Sequence, residues 1–312
     1  MTFNDINLLA KEKTPFLFIS DFKAQNLKVI LLDELQNEDI EFAINENYTK
    51  TIHPHFLKKI PLAFSEYKKK FDYVIEKIKS GDTYLLNFTQ PTKIESSLSL
   101  KEMFSFANAH YKLRYKDEFV CFSPEKFVKI KDNKIHTYPM KGTIDSNIPH
   151  AKDLILNDKK EMAEHIMVVD LLRNDLSIKA KNVKVEEFRY ITEIEAGDKK
   201  LLQVSSHISG ELDESWHVQL GDILKSLLPA GSISGTPKKS TLEIIENIEG
   251  YDRGYFSGVF GVFDGDSFDS GVMIRFIEKT KIGYTYKSGG GITLDSDAKL
   301  EYNELLDKVY LP

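Results

Sequence analysis

Cysteine is almost absent from this chain. Cys121 is the single one in 312 residues, which excludes an internal disulfide and any multi-cysteine metal site. It stands in the apolar run Phe119-Val120-Cys121-Phe122, the context of an inert core thiol. Arginine is nearly as scarce: Arg114, Arg173, Arg189, Arg253 and Arg275 are the only five among 42 basic residues, so each invites a specific explanation. Excess positive charge is missing too. A formal net charge of −6 provides no field that would gather nucleic acid or an anionic membrane surface. No apolar run approaches the ~20 residues of a membrane helix. The start, Met1-Thr2-Phe3-Asn4-Asp5, lacks the basic-then-apolar layout of a secretory signal, so the expected location is the cytoplasm. Repeats, low-complexity segments and long Pro/Gly/Ser linkers are also lacking, which favours one continuous architecture.

What remains is an ordinary globular composition, 41% hydrophobic and 29% charged, long enough to bury a large core and enclose a small-molecule cleft. Residues 14–32 alternate short apolar runs with turn-like stretches. Residues 61–80 read as an amphipathic helix closed by Gly81. Strand-like runs follow at 118–122, 126–130 and 134–138, with Asp132-Asn133 as a hairpin turn. Helical periodicity covers about 158–172, then 238–248 and 297–309, and a strand-rich stretch lies at 255–286. This order is neither a βαβ alternation nor all-β. It predicts an α+β fold with extensive antiparallel sheet and helices against its faces.

Several clusters could carry chemistry. Glu161 and Glu164 are three apart on one predicted helix, and Glu301, Glu304 and Lys308 are three and four apart on another, so each set shares a helix face. Two such faces together can bind a hard divalent cation; alone, each is as well explained by a solvated face. Gly231-Ser232-Ile233-Ser234-Gly235-Thr236-Pro237-Lys238 fails the phosphate-loop pattern, which needs four residues between its glycines and a lysine directly after the second. It reads as a turn rich in donors that opens onto a helix N-terminus, or simply as a helix entry. Lys141 follows a predicted strand, between Pro139 and Gly142, where it could point into a cleft; a nucleophilic lysine there must have its pKa lowered. Gly289-Gly290-Gly291 is either a flexible turn or a place where amides approach a carboxylate closely. Arg275 interrupts a strand-like apolar run, as an edge residue or a carboxylate clamp, and its scarcity favours the clamp.

These pieces occur in order, and together they make the chain resemble the chorismate-binding enzymes, which include the large subunits of anthranilate synthase and aminodeoxychorismate synthase. The matching stretches are Gly81-Asp82-Thr83-Tyr84, Ser123-Pro124-Glu125, Pro139 to Thr143, Lys160 to His165, Asp170 to Leu176, Gly231 to Lys238, Gly289 to Gly291 and Glu301 to Glu304, within roughly residues 62–310. The resemblance implies an anthranilate-synthase-like fold of two packed lobes around a central cleft. It divides the chain into a short N-terminal segment, 1–60, packed on a catalytic domain, 61–312.

The resemblance further implies magnesium held by Glu164 and Glu304, with Glu161 and Glu301 behind them or acting through water. Arg275, Gly289, Gly290, Gly291 and Lys308 become partners of the carboxylates of chorismate, and Gly142 and Thr143 line its pocket. Lysine in Pro-x-Lys-Gly-Thr resembles the aminodeoxychorismate synthases, where anthranilate synthases usually carry alanine. The family mechanism makes Lys141 a nucleophile that adds to the ring as the C4 hydroxyl departs, with Glu125 as general acid and ammonia then displacing the lysine. Cys121 is a poor glutaminase nucleophile, so ammonia is expected from a separate glutamine amidotransferase subunit.

Leu85, Gln203, Phe256 and Phe276 depart from the family pattern, where glutamine, histidine, tyrosine or tryptophan, and a small hydroxyl residue are common. The short region before residue 60 puts amino-acid feedback in doubt. Two alternatives stand beside the main expectation. One is anthranilate synthesis, against which Lys141 weighs. The other is a catalytically silent chorismate-binding subunit, against which the retained glutamates, Glu125 and Lys141 weigh. Isochorismate or salicylate synthesis is disfavoured because Leu85 cannot be the lysine base those relatives usually place there.

Overall fold

The computed structural model describes residues 1–46, 55–196 and 199–311. Its helices are α1 (Phe3–Lys11), α2 (Phe64–Lys79), α3 (Leu100–Phe106), α4 (Ala151–Asn157), α5 (Lys159–Ser177), α6 (Leu220–Leu227), α7 (Lys238–Glu249) and α8 (Ala298–Asp307). The four helices expected from periodicity are α2, α5, α7 and α8, and local chemistry fixes their ends. Asp158 caps α5 by accepting from the Glu161 amide at 2.9 Å, and Asp297 caps α8 by accepting from the amides of Lys299 and Leu300, each at 2.9 Å. Gly250 closes α7 in the left-handed conformation, with φ 74°.

The strands form two antiparallel sheets, so the α+β expectation holds. The first runs through Met140–Asp145, Lys199–Glu211, Lys134–Thr137, Lys126–Lys131, Phe268–Val272, Val259–Phe263, Phe16–Ser20 and Leu27–Leu31, with Lys181–Ala196 as a ribbon against Lys199–Glu211. The second runs through Gly235–Thr236, Leu85–Ser96, Gly283–Ile292, Phe276–Thr280, Phe119–Ser123, Tyr111–Tyr115 and Ile40–Ile44, with Leu57–Ile60 beside Leu85–Ser96. The expected turn at Asp132-Asn133 is present, both residues left-handed (φ 51° and 58°) as a two-residue hairpin requires.

Alternation along the strands distributes the core. Leu17 and Ile19 pack with Tyr111 and Leu113 of the second sheet, whereas Phe16 and Phe18 join a larger cluster that includes α1, α2, α5, α6 and α7. Both faces of Phe16–Ser20 are therefore buried. Residues 1–60 supply strands to both sheets: Phe16–Ser20 pairs on one side with Val259–Phe263 and on the other with Leu27–Leu31, and Ile40–Ile44 pairs with Tyr111–Tyr115.

Two of the passages between the sheets are short links. Phe119–Ser123 lies in the second sheet and Lys126–Lys131 in the first, joined through Pro124 and Glu125. Phe268–Val272 lies in the first and Phe276–Thr280 in the second, joined through residues 273–275.

Candidate active site

Arg275 was expected inside a strand-like run, but the run breaks at this residue. Its backbone is left-handed (φ 50°), and it stands at the sheet-to-sheet link. The side chain it releases lies over the Tyr310 ring at 5.4 Å, and its Nε is buried without a hydrogen-bond partner. The other arginines are engaged elsewhere: Arg114 with Asp39 and Glu41, Arg173 with Asp170, Arg189 with the last carbonyls of α4, and Arg253 with Glu249. A buried, orphaned guanidinium nitrogen is what a carboxylate clamp would present.

Glu125 occupies the neighbouring link. Its Oε1 accepts from Ser232, whose turn Gly231–Ile233 lies in the glycine-rich segment before α7. Burial pushes the Glu125 carboxyl above the usual carboxylate range, against the opposing effects of Ser232, Arg275 and Lys308. It is thus held toward the protonated form that a general acid needs. Ser232 was not singled out from sequence; its contact spans 107 residues, which no local pattern reveals. The segment around it is a helix entry: Lys238 opens α7 and pairs with Asp175 of α5 at 3.1 Å.

The two glutamate-bearing helix faces come together around Lys141 and Lys160. Met140 pairs with Ser205 and Thr143 with Gln203, and the register shifts between them, so Lys141 and Gly142 lie in a bulge that re-aims the side chain. Lys141 Nζ reaches Glu164 Oε2 at 2.6 Å. A Cβ on Gly142, whose φ is 95°, would stand 3.1 Å from Glu161 Oε2. Lys160 Nζ lies 3.8 Å from both Glu164 Oε1 and Glu301 Oε1, linking α5 to α8. Glu301 also accepts from Ser296 at 2.8 Å. Lys308 pairs with Glu304 at 2.6 Å and donates to the Gly289 carbonyl at 2.8 Å.

The three glycines are neither a flexible turn nor a loop. They continue the strand Gly283–Ile292, paired with Thr89, Phe88 and Asn87. A Cβ on Gly290 would come within 3.5 Å of Glu301 Oε2 and Lys308 Nζ, so the backbone sits directly against the charged cluster. Leu85 packs on Gly291, and Phe256 and Phe276 are buried against each other at 6.0 Å between centroids. Thr143 is exposed and shares the ladder with Gln203 without joining the cluster.

Glu125, Lys141, Gly142, Glu161, Glu164, Arg275, Gly289, Gly290, Gly291, Glu301, Glu304 and Lys308 thus form one connected constellation. Its electrostatics differ from the lysine expectation. Burial works to lower the Lys141 pKa, but the ion pair with Glu164, helped by Glu161 and Glu304, outweighs it and the net shift is upward. Lys308 goes the other way, lowered chiefly by burial. Among the described residues, no group of three or more His, Cys, Asp or Glu side chains stands ready to hold a metal ion. Four carboxylates nevertheless face three ammonium groups, and Glu161 Oε2 is buried without a hydrogen-bond partner. An orphaned oxygen within a cluster of four carboxylates fits a hard divalent cation, which takes few protein carboxylates and keeps waters.

The family model for chorismate binding enzyme matches residues 14–311. An "uncharacterized PabA-like protein" of Haemophilus influenzae is 48% identical over 98% of this chain and 94% of its own. Aminodeoxychorismate synthase component 1 of Salmonella typhimurium is 33% identical over 78% of this chain, which spans 56% of that protein. The crystal structure of anthranilate synthase component I from Streptococcus pneumoniae superposes with a TM-score of 0.69 at 25% identity, covering 86% of this chain and 61% of that one. The matched residues include the N-terminal strands that are built into both sheets. With nearly its whole length matched, the chain belongs to the chorismate-binding enzyme family.

Proposed function

We infer that this chain aminates chorismate at C4, giving 4-amino-4-deoxychorismate for para-aminobenzoate and folate synthesis, with ammonia supplied by a separate glutamine amidotransferase subunit. The observation that carries this reading is Lys141, aimed by its bulge at the glutamate cluster and held 2.6 Å from Glu164. A lysine there provides a nitrogen nucleophile, and the 33% identical Salmonella typhimurium relative bears the name aminodeoxychorismate synthase component 1.

Each side chain then has a task. Arg275, Lys308 and the backbone of Gly289 to Gly291 bind and orient the carboxylates of chorismate. Gly142 lets the backbone beside Lys141 approach Glu161 closely. Glu125, whose carboxyl burial pushes above the usual carboxylate range, delivers its proton to the C4 oxygen as it departs. Lys141 must leave Glu164 and shed a proton before its nitrogen can add to the ring; ammonia then displaces it, leaving the new amine at C4. Glu164 and Glu304, with Glu161 and Glu301 behind them, would hold magnesium, which when bound supplies positive charge for a substrate carboxylate.

The test is product identification by NMR after incubating the purified chain with chorismate, magnesium and ammonium, with and without chelator. Magnesium-dependent 4-amino-4-deoxychorismate is the expected result. Anthranilate with pyruvate would overturn the use made of Lys141 and keep the substrate. No turnover, even with a glutaminase partner added, would favour a silent binding subunit.

A further inference from the structure

Each of the two glutamates assigned to the cation has its own lysine. Lys141 pairs with Glu164 and Lys308 with Glu304, both at 2.6 Å. The pairs are not equivalent. Lys308 lies on the same helix as Glu304, one turn on, and is also tied to the Gly289 carbonyl at 2.8 Å. Lys141 comes from a different element, the bulged strand, and among the described residues the one tight contact of its ammonium is Glu164. Glu164 is a buried side chain, 4% exposed, whose other neighbours are Lys160 at 3.8 Å and the Thr293 hydroxyl at 3.4 Å. A buried carboxylate needs a counter-charge, and Lys141 supplies it.

We propose that the Lys141 ammonium and the divalent cation compete for the Glu164 carboxylate, so that cation binding releases Lys141 from its ion pair toward the substrate. This rests on the reading of Glu164 as a cation ligand. Two positive charges cannot share one oxygen set at contact distance without strong repulsion, so one must leave. Lys141 is the one able to go, since it sits on a bulge and its ammonium has no second ion-pair partner among the described residues. Lys141 is therefore the counter-charge of Glu164 in this arrangement. The nucleophile is freed only when the cation has arrived.

The competition predicts a sign opposite to ordinary damage: removing Lys141 should tighten cation binding. Calorimetric titration of the full chain with magnesium chloride at one pH, without chorismate, reads this directly in the wild type, Lys141→Met, Lys141→Arg and Glu164→Gln. Lys141→Met should bind magnesium at least about tenfold more tightly than the wild type. Lys141→Arg, which keeps the charge, should stay near the wild-type affinity, and Glu164→Gln should lose the site. Equal or weaker binding by a folded Lys141→Met overturns the competition while leaving Glu164 a ligand. Binding by neither wild type nor Lys141→Met, or full binding by Glu164→Gln, removes the cation reading itself and the competition with it. If Lys141→Met does not fold, Lys141→Gln answers the same question with a polar side chain.

Discussion

Glu125 and Arg275 occupy adjacent points at which the chain passes between the two sheets: the Val272 amide donates to the Glu125 carbonyl at 3.0 Å, and the Phe122 amide to the Arg275 carbonyl at 3.2 Å. Each link is stitched to the strand of the other, so the carboxyl and the guanidinium are fixed relative to one another by backbone rather than by a direct ion pair.

If Glu125 is the acid, Glu125→Gln removes the proton and keeps the shape. The amide can still accept from Ser232, and the backbone stitching is untouched. The expected outcome is a kcat lower by about 10²- to 10⁴-fold with KM and thermal midpoint little changed. Steady-state assays with a melting curve check it, and near-wild-type kcat would remove Glu125 from the chemistry.

The acid also sets a direction in pH. Burial holds the Glu125 carboxyl above its ordinary range, and a general acid works only while protonated, so kcat should fall as pH rises through that value. Ser232 donates to the ionised carboxylate and so opposes the upward shift. Ser232→Ala should therefore move the alkaline limb to higher pH, and Ser232→Thr, which keeps the hydroxyl, should leave it in place. A limb that does not move between wild type and Ser232→Ala would assign it to another group.

Why some of this was readable from sequence and some was not follows from range. Glu161 with Glu164, and Glu301 with Glu304, were legible because helical periodicity puts them on one face, and the capping aspartates mark where each helix begins. That the two faces meet through Lys160, and that Lys141 pairs with Glu164, depends on long-range packing and leaves no local trace. The strand Leu85–Ser96 was obscured because Thr89, Gln90 and Thr92 are buried polar residues, with Thr89 bonded to Glu249, so the usual apolar alternation is missing. The ribbon Lys181–Ala196 was hidden by register shifts that interrupt its alternation. Gly289 to Gly291 lack strand propensity, and at Gly289 space forbids a side chain: a Cβ there would stand 2.3 Å from the Phe88 carbonyl oxygen.

Arg275 tests the clamp. Its scarcity and its orphaned Nε both point to a planar, bidentate contact that a lysine cannot reproduce. Arg275→Lys should raise KM for chorismate by roughly 10- to 100-fold, the value of a lost charge-assisted pair, with a smaller change in kcat. A conservative variant with unchanged KM would place the guanidinium outside the substrate contact.

The pair Glu249 and Arg253 should dominate stability near the site. Both side chains are 1% exposed and 2.6 Å apart, and Arg253 also donates to the carbonyls of Ile233 and Asn87 at 2.8 and 2.7 Å. Ile233 closes the turn that presents Ser232 to Glu125, so this network ties α7, the strand Leu85–Ser96 and the acid's support together. Glu249→Gln retains an acceptor for the Thr89 amide, now bonded at 2.9 Å, but leaves the guanidinium charge buried without a counter-ion. A loss of about 3–5 kcal/mol is expected, read as a lower urea midpoint at constant slope. Arg253→Met added to Glu249→Gln should recover part of that loss, because it removes the uncompensated charge. A single variant as stable as the wild type would mean that water reaches the pair, contradicting its burial.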